Sequence, residues 1–221
     1  MKQLFLLLLV SLLAFSATAQ DSKWQLGAYA GTGSRTLHGN DFLDPLSDVG
    51  LAFEMGGTIQ YKAFSSLQVR GTLAYQLKGN RQNIQVTDEF GSSTGTALFA
   101  TQMDYLSMRG LLVLPMRSDA SMYAVAGSHF GYLTSAWQVS DAFPDVDVTE
   151  GFKATDFGVS LGLGVAPAIN DRWHWSVEML YDYGLANLGH NDNRQDFLIS
   201  TMNLQLLAGV RYQLGGTTSS N

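Results

Sequence analysis

The sequence predicts an all-β fold, an eight-stranded antiparallel up-and-down transmembrane β-barrel. Of eight stretches of roughly ten residues, seven alternate apolar and polar side chains, the pattern of a tilted membrane strand. Long and short links alternate strictly between them, as in a barrel with one elaborated mouth. After residue 19, no segment is long and apolar enough to cross a membrane as a helix. A membrane location would therefore require strands closed into a barrel.

The first 19 residues have the features of an export signal. Lys2 supplies a positive start, and residues 4–15 form an apolar run interrupted only by Ser11. This run is too short to span a bilayer as a helix. Ala17-Thr18-Ala19 then provides the small-x-small pattern that a signal peptidase recognises. We expect cleavage after Ala19, leaving one barrel domain over residues 20–221.

Composition excludes several classes of function. Removal of residues 1–19 leaves 12 Lys and Arg against 19 Asp and Glu, a net charge of −7. Nucleic acid is therefore not an expected partner, because phosphate binding needs clustered basic residues. The chain has no Cys, which excludes disulfides, a lipid-modified Cys and thiolate metal sites. We expect neither a metal nor a cofactor.

The eight stretches are predicted strands. Seven of them place bulky apolar side chains on one face and small or polar side chains on the other. The fifth stretch is small and apolar on both faces, so its orientation stays open. The predicted strands are residues 24–31, 51–61, 67–78, 104–114, 122–133, 156–165, 173–183 and 202–214.

The links between these strands predict the topology. The long links are residues 34–48, 79–100, 135–154 and 185–199, and the short links are residues 62–66, 115–120 and 168–171. In outer-membrane barrels the long links face outward and the short turns face the periplasm. An even number of strands then puts both ends of the domain in the periplasm.

The apolar face is predicted to meet lipid. A soluble periplasmic ligand-binding barrel is the alternative, because it shows the same alternation with its apolar face inward. Small residues on the polar face favour the membrane barrel, since they fit a narrow interior. Sparse charge of both signs on that face favours it too, and so do aromatic residues near strand ends, which suit interfacial girdles. The predicted interfacial residues are Trp24, Tyr61, Tyr75, Trp173, Tyr181, Tyr183 and Tyr212.

Short strand patterns spread over the mature chain are similar to those of a known family. They are Gln20-Asp21, Trp24-x-Leu26-Gly27-x-Tyr29-x-Gly31, Tyr105-Leu106-Ser107-Met108, Tyr123-x-x-x-Gly127 and Leu207-x-Gly209-Val210-Arg211-Tyr212-x-Leu214. In these the chain resembles the PorT-like family of small outer-membrane β-barrel proteins from Gram-negative bacteria. The resemblance implies an integral outer-membrane protein. The chain departs from the family pattern in two places. It has Ser107 and Arg109-Gly110 where the family tends to have Glu and Pro-Leu, and it has a tail beyond Leu214.

Charged residues on the polar face are the first candidate site. Buried charges need partners, so we expect an ion-pair network inside the barrel. One interpretation is a gate in a narrow pore, and the other is a static plug. The plug is favoured, since eight strands leave almost no open lumen. The predicted network consists of Glu54, Arg70, Arg109, Glu178, Asp182 and Arg211.

Two further candidates lie in the long links. His190 beside Asp192, with Ser34 or Ser135, has the residue types of a hydrolase or acyltransferase. The other histidines are His38, His129 and His174. No nucleophile motif selects any of them, so we predict no catalytic residues and no enzyme.

Acidic residues in the third and fourth links are the other candidate, because carboxylates bind Ca²⁺. Their spacing lacks a calcium-loop pattern, so a solvated acidic rim is favoured. The acidic residues are Asp141, Asp145, Asp147, Glu150, Asp192 and Asp196.

The sequence therefore predicts an integral outer-membrane protein with a structural or binding role. Its surroundings are outer-membrane lipid, and its expected partner is a protein or a surface polymer at the long links. A small enzyme acting on lipid, a narrow pore and the soluble periplasmic barrel stay open as alternatives.

Overall fold

Eight long antiparallel strands form the body of the protein. The computed structural model describes residues 23–38, 50–87, 90, 93–117, 121–189 and 199–215. The long strands are β1 (Trp24–His38), β2 (Gly50–Phe64), β3 (Leu67–Thr87), β4 (Ser93–Pro115), β5 (Met122–Ser140), β7 (Thr155–Val165), β8 (Trp173–Gly184) and β9 (Ser200–Gln213). A two-residue strand, β6 (Val146–Asp147), and a 3-10 turn at Thr149–Gly151 lie between β5 and β7.

The sheet closes on itself. Each long strand pairs antiparallel with its neighbours in the chain, β4 with β5 as well, and β1 pairs with both β2 and β9. Trp24 lies opposite Tyr61 and Gln25 opposite Gln213, so both ends of the described barrel lie beside the short turns. The predicted eight-stranded up-and-down barrel is confirmed.

Among the residues that the structure describes, no helix is long and apolar enough to cross a membrane. The predicted signal, residues 1–19, and the tail from residue 216 lie outside the described residues and stay predictions.

The predicted second long link, residues 79–100, is wrong. Strand β3 continues to Thr87 and β4 begins at Ser93, with pairs from Gly79 opposite Gln102 to Thr87 opposite Ser93. Strands β1 and β5 also run past their predicted ends, to His38 and Ser140. A strand that stands in water needs no apolar face, so these extensions carry no period-two signal and resemble loops in sequence.

Apolar side chains cover the outside of the barrel. Leu73, Leu161 and Leu206 are each more than half exposed, whereas the inward-facing Glu54 and Lys78 are fully buried. This inversion is expected where lipid, and not water, surrounds the strands. It also fixes the orientation of the fifth predicted strand. In β5, Tyr123, Val125 and His129 face inward, and Met122, Phe130 and Tyr132 face outward.

Small residues make room for large side chains inside the barrel. A Cβ at Gly164 of β7 would overlap Cζ of Tyr123, which is buried on the neighbouring strand β5. Glycine at this position therefore lets the Tyr123 ring lie across the interior.

Replacement of Gly164 by Ala is expected to destabilise the barrel by about 1–3 kcal/mol, because the new methyl group overlaps the Tyr123 ring. The matched control is Gly57→Ala on the outer face of β2, where a Cβ would meet only the Gly27 carbonyl oxygen, 3.8 Å away. The control should stay within about 1 kcal/mol of the parent. Urea unfolding in phospholipid vesicles, followed by Trp fluorescence, measures both free energies. Equal losses would contradict the role assigned to Gly164.

Candidate functional site

Charged side chains of both signs fill the barrel interior. They stand at alternate positions of their strands and face inward, because every second side chain of a β-strand points to the same side of the sheet. Among the described residues, four carboxylates and five cations lie there, and each member is almost wholly buried. The acids are Glu54, Asp156, Glu178 and Asp182, and the bases are Arg35, Arg70, Lys78, Arg109 and Arg211.

The centre of the interior is built around Arg109 of β4. Its guanidinium contacts both carboxylate oxygens of Glu54, with Nη2 2.7 Å from Oε2, and Nη2 lies 2.6 Å from Oδ2 of Asp182. The Tyr29 hydroxyl donates to Glu54 at 2.8 Å, and the Ser160 hydroxyl donates to Asp182 at 2.6 Å. One cation thus joins carboxylates from opposite sides of the barrel, and hydroxyls complete the carboxylates' hydrogen bonds.

The half beside the short turns is built around Glu178 of β8. Arg70 lies 2.6 Å from its carboxylate and Arg211 lies 3.9 Å from it. Both guanidiniums also lie over the Tyr123 ring, 5.2 Å and 4.9 Å from its centroid. The Arg70 Nε donates to Gln60 at 2.8 Å. Two arginines therefore share one carboxylate at this level.

The outer half contains the Lys78–Asp156 pair. Nζ of Lys78 lies 2.7 Å from Oδ2 of Asp156, and both side chains are fully buried. The Thr201 hydroxyl donates to the same oxygen at 2.9 Å, and the ammonium lies 5.0 Å from the Tyr105 ring centroid. Arg35 donates to the carbonyl oxygen of Lys78.

An apolar cluster lies above this pair at the outer end. It brings together Leu37, Met103, Tyr105, Leu133 and Ala136, with Val148, Phe152 and Ile199 packed against them. The third outer link reaches this cluster because the Val148 backbone N–H donates to Ala136 at 2.9 Å. The Lys153 N–H donates to Leu188 at 2.9 Å and connects the third link to the fourth. Residues of two outer links therefore form a cap over the charged interior.

All six charged residues predicted from the sequence lie inside the barrel. The structure brings them together as two groups, Arg109 with Glu54 and Asp182, and Glu178 with Arg70 and Arg211. The sequence prediction missed Arg35, Lys78 and Asp156. Lys78 and Asp156 stand on the same polar parity as the six, at the ends of their predicted strands, so the parity rule would have included them. Arg35 falls in the predicted first long link.

Four of the predicted interfacial aromatic residues lie at the short-turn end of the barrel. Beside the short turns, the rings of Trp24 and Tyr61 are 4.7 Å apart and those of Trp173 and Tyr212 are 5.0 Å apart. Tyr75, Tyr181 and Tyr183 lie farther along their strands, and the Tyr75 hydroxyl donates to Asp104 at 2.5 Å. Their contact with the membrane interface stays a prediction.

The histidine candidates are not assembled into a surface site among the described residues. His129 is buried inside the barrel, with Nδ1 3.2 Å from the Ser160 hydroxyl and 3.8 Å from Asp182. His174 lies at the short-turn end of β8. His190 and Asp192 are outside the described residues, as is the side chain of His38. Ser135 lies in β5 and donates to Asp104 at 2.7 Å.

The acidic residues of the third link are exposed. The backbone N–H of Thr149 donates to Asp147 at 2.9 Å, and hydrogen bonds from Thr149 lower the pKa of the Asp147 carboxyl group. Asp192 and Asp196 are outside the described residues. In the described part of the chain, no group of three or more acidic or histidine side chains is placed to hold a metal ion.

Arg109→Met is expected to destabilise the barrel by about 3–5 kcal/mol, because Glu54 and Asp182 would stay buried without their cation. The triple variant Arg109→Met, Glu54→Gln, Asp182→Asn should recover much of this loss, since no unpaired charge is left. Arg172→Met is the control, because Arg172 is exposed and bonds Tyr212 at 3.2 Å. It should cost less than about 1 kcal/mol. Free energies of unfolding in vesicles measure all three variants, and failure of the triple variant to recover stability would contradict the charge-pairing account.

A comparison with solved structures matches the chain to outer-membrane barrels at low sequence identity. Neisserial surface protein A is 13% identical, covers 87% of this chain and 97% of its own, and has a TM-score of 0.47. Ail, the attachment invasion locus protein of Yersinia pestis, is 13% identical, with 86% and 99% covered and a TM-score of 0.42. The outer membrane protease OmpT from Escherichia coli is 10% identical, with 90% and 99% covered and a TM-score of 0.37.

None of the curated proteins compared with the chain matches it. The family model described as the outer membrane protein beta-barrel domain matches residues 5–213, nearly the whole chain. This match agrees with the closed sheet, its apolar outer face and its charged interior, and it sets aside the soluble periplasmic alternative. The chain belongs to the outer membrane protein beta-barrel family and is located in the outer membrane.

Proposed function

We propose that this barrel is a rigid outer-membrane platform whose outward segments bind a partner, a protein or a surface polymer, and that its interior does not conduct ions. We also infer, from the strand patterns in the sequence, that within its family the chain is of the PorT-like kind. The absence of an enzymatic activity stays a prediction.

The filled interior is the observation that carries the proposal. Ion pairs cross the barrel at three levels, and the apolar cap covers the outermost level. The cavities beside Arg70 and beside Gln60 measure about 30 and 50 Å³, which leaves room for a few water molecules at most. An interior of this kind supports a structural role. It leaves little room for a ligand, so a binding function would use the outward segments.

The outward extensions of β3, β4 and β5 offer a surface for such binding. They form a three-stranded sheet beyond the apolar band, and β6 pairs with the end of β5. Trp137, Phe143 and Val146 are 40%, 57% and 54% exposed there. The Phe99 and Phe143 rings lie 5.9 Å apart. Exposed apolar side chains outside the lipid band favour contact with another molecule.

The charge of the outer links favours a partner that is not anionic. Residues 39–49, 88–92, 141–154 and 185–199 contain 11 acidic and two basic residues. At this density of negative charge the outer links repel an anionic polymer, whereas they do not repel a neutral or basic surface.

Site-specific photo-crosslinking in living cells tests the binding function. A photoreactive amino acid at Phe143 is expected to give an adduct of discrete mass with a macromolecule. Leu161 on the lipid face and Ile169 on a periplasmic turn are matched controls, because the three side chains are 57%, 55% and 58% exposed. Neither control should give that adduct. A Phe143 position that gives no adduct, or only the adducts of the controls, would contradict the proposal.

Planar-bilayer recordings test the closed interior separately. The parent protein is expected to show no steady conductance. The triple variant Glu54→Ala, Arg109→Ala, Asp182→Ala should conduct, because it removes the central ion-pair group that crosses the barrel. A steady, large conductance of the parent would show that the interior is open and would overturn this part of the proposal.

A further inference from the structure

A small polar cavity lies inside the barrel between the central Arg109 group and the Glu178 group. Its volume is about 30 Å³, and its apolar walls include Leu111 and Leu207. Guanidinium groups and hydroxyls dominate its polar lining, with a single carboxylate among them. The polar residues that matter here are Arg70, Arg109, Arg211, Glu178, Thr58 and Thr72.

Three hydrogen-bond donors in this lining are buried and make no hydrogen bond. They are Nη2 of Arg70 and the Oγ1 atoms of Thr58 and Thr72. The Arg70 side chain is only 4% exposed, and its Nη1 and Nε donate to Glu178 and Gln60. Leaving such donors unpaired is costly, and a guanidinium N–H is costlier than a neutral donor. The cavity therefore suits an occupant that accepts hydrogen bonds.

The local charge favours an anion as that occupant. Arg70 and Arg211 share only one carboxylate, Glu178, so this side of the cavity has one excess positive charge. On the other side of the cavity, Arg109 lies between Glu54 and Asp182, so that group has one excess negative charge and the Arg70 side is the positive one. A negative charge beside Arg70 and Arg211 would be stabilised in this weakly polarisable interior more strongly than in water.

The size of the cavity restricts the class of anion. A volume of about 30 Å³ holds a monoatomic ion or one to two water molecules, and it is too small for sulfate, phosphate or a carboxylic acid. We propose that this cavity is a chloride site in which Arg70 Nη2 and Thr58 Oγ1 donate to a single buried halide ion. The ion balances the unshared charge of the arginine pair and ties β2 and β3 to the Glu178 side of the barrel.

Crystallography with bromide in place of chloride tests the site directly. An anomalous peak is expected in the cavity, in contact with Arg70 Nη2 and Thr58 Oγ1. A cavity that holds only water in the bromide crystals would overturn the proposal.

A solution experiment tests whether the ion contributes to stability. Urea unfolding in vesicles is compared in potassium chloride and in potassium gluconate of equal ionic strength, because gluconate is too large for the cavity. With a dissociation constant of about 30 mM, about 300 mM chloride would raise the ratio of folded to unfolded protein about tenfold.

Thr58→Val removes one donor at nearly constant volume and should abolish most of the chloride dependence. Thr155→Val, on the exposed outer face of β7, is the matched control and should keep it. Equal unfolding of the parent in the two salts, or an undiminished chloride effect in Thr58→Val, would overturn the proposal. The result is independent of the proposed binding function, which does not involve the interior.

Discussion

The constraint on which the structure depends is that a backbone in lipid must satisfy its hydrogen bonds within the protein. Eight strands do so by closing into a ring, in which β1 pairs with both β2 and β9. Closure at eight strands also makes the interior narrow. Charged side chains that face inward, such as Arg109 and Asp182, are then buried wherever they lie, and each must find a partner there. The dense pairing of acids with bases in the interior is a consequence of closure.

Much of this fold could be predicted because lipid imposes a strict period on the strands. The prediction failed in the parts of the strands that extend beyond the lipid. Residues 79–100 are mostly strand, but in water they need no apolar face and resembled a loop. The orientation of β5 also needed the structure, because Ala124 and Ala126 on one face and Val125 on the other are too similar in polarity to distinguish.

The candidate site was predictable in its members and not in its pairings. Parity alone places Glu54, Arg70 and Glu178 inside. Which acid meets which base depends on strand tilt and stagger across the barrel, so that Arg109 of β4 reaches Glu54 of β2 and Asp182 of β8. The cap also escaped prediction, because it arises where residues distant in sequence meet at the outer end, such as Leu37, Tyr105 and Phe152.

The cross-barrel ion pairs constrain how this protein can be assembled. Glu178 of β8 meets Arg70 of β3, and Asp156 of β7 meets Lys78 of β3, so each pair joins strands that are far apart in the chain. A hairpin that entered the bilayer alone would carry charges such as Lys78 or Asp156 without their partners, at a cost of about 2.5–3.5 kcal/mol for each charged side chain at the membrane centre. Insertion one hairpin at a time is therefore opposed at every step. The strands have to cross the membrane together, as a nearly closed barrel.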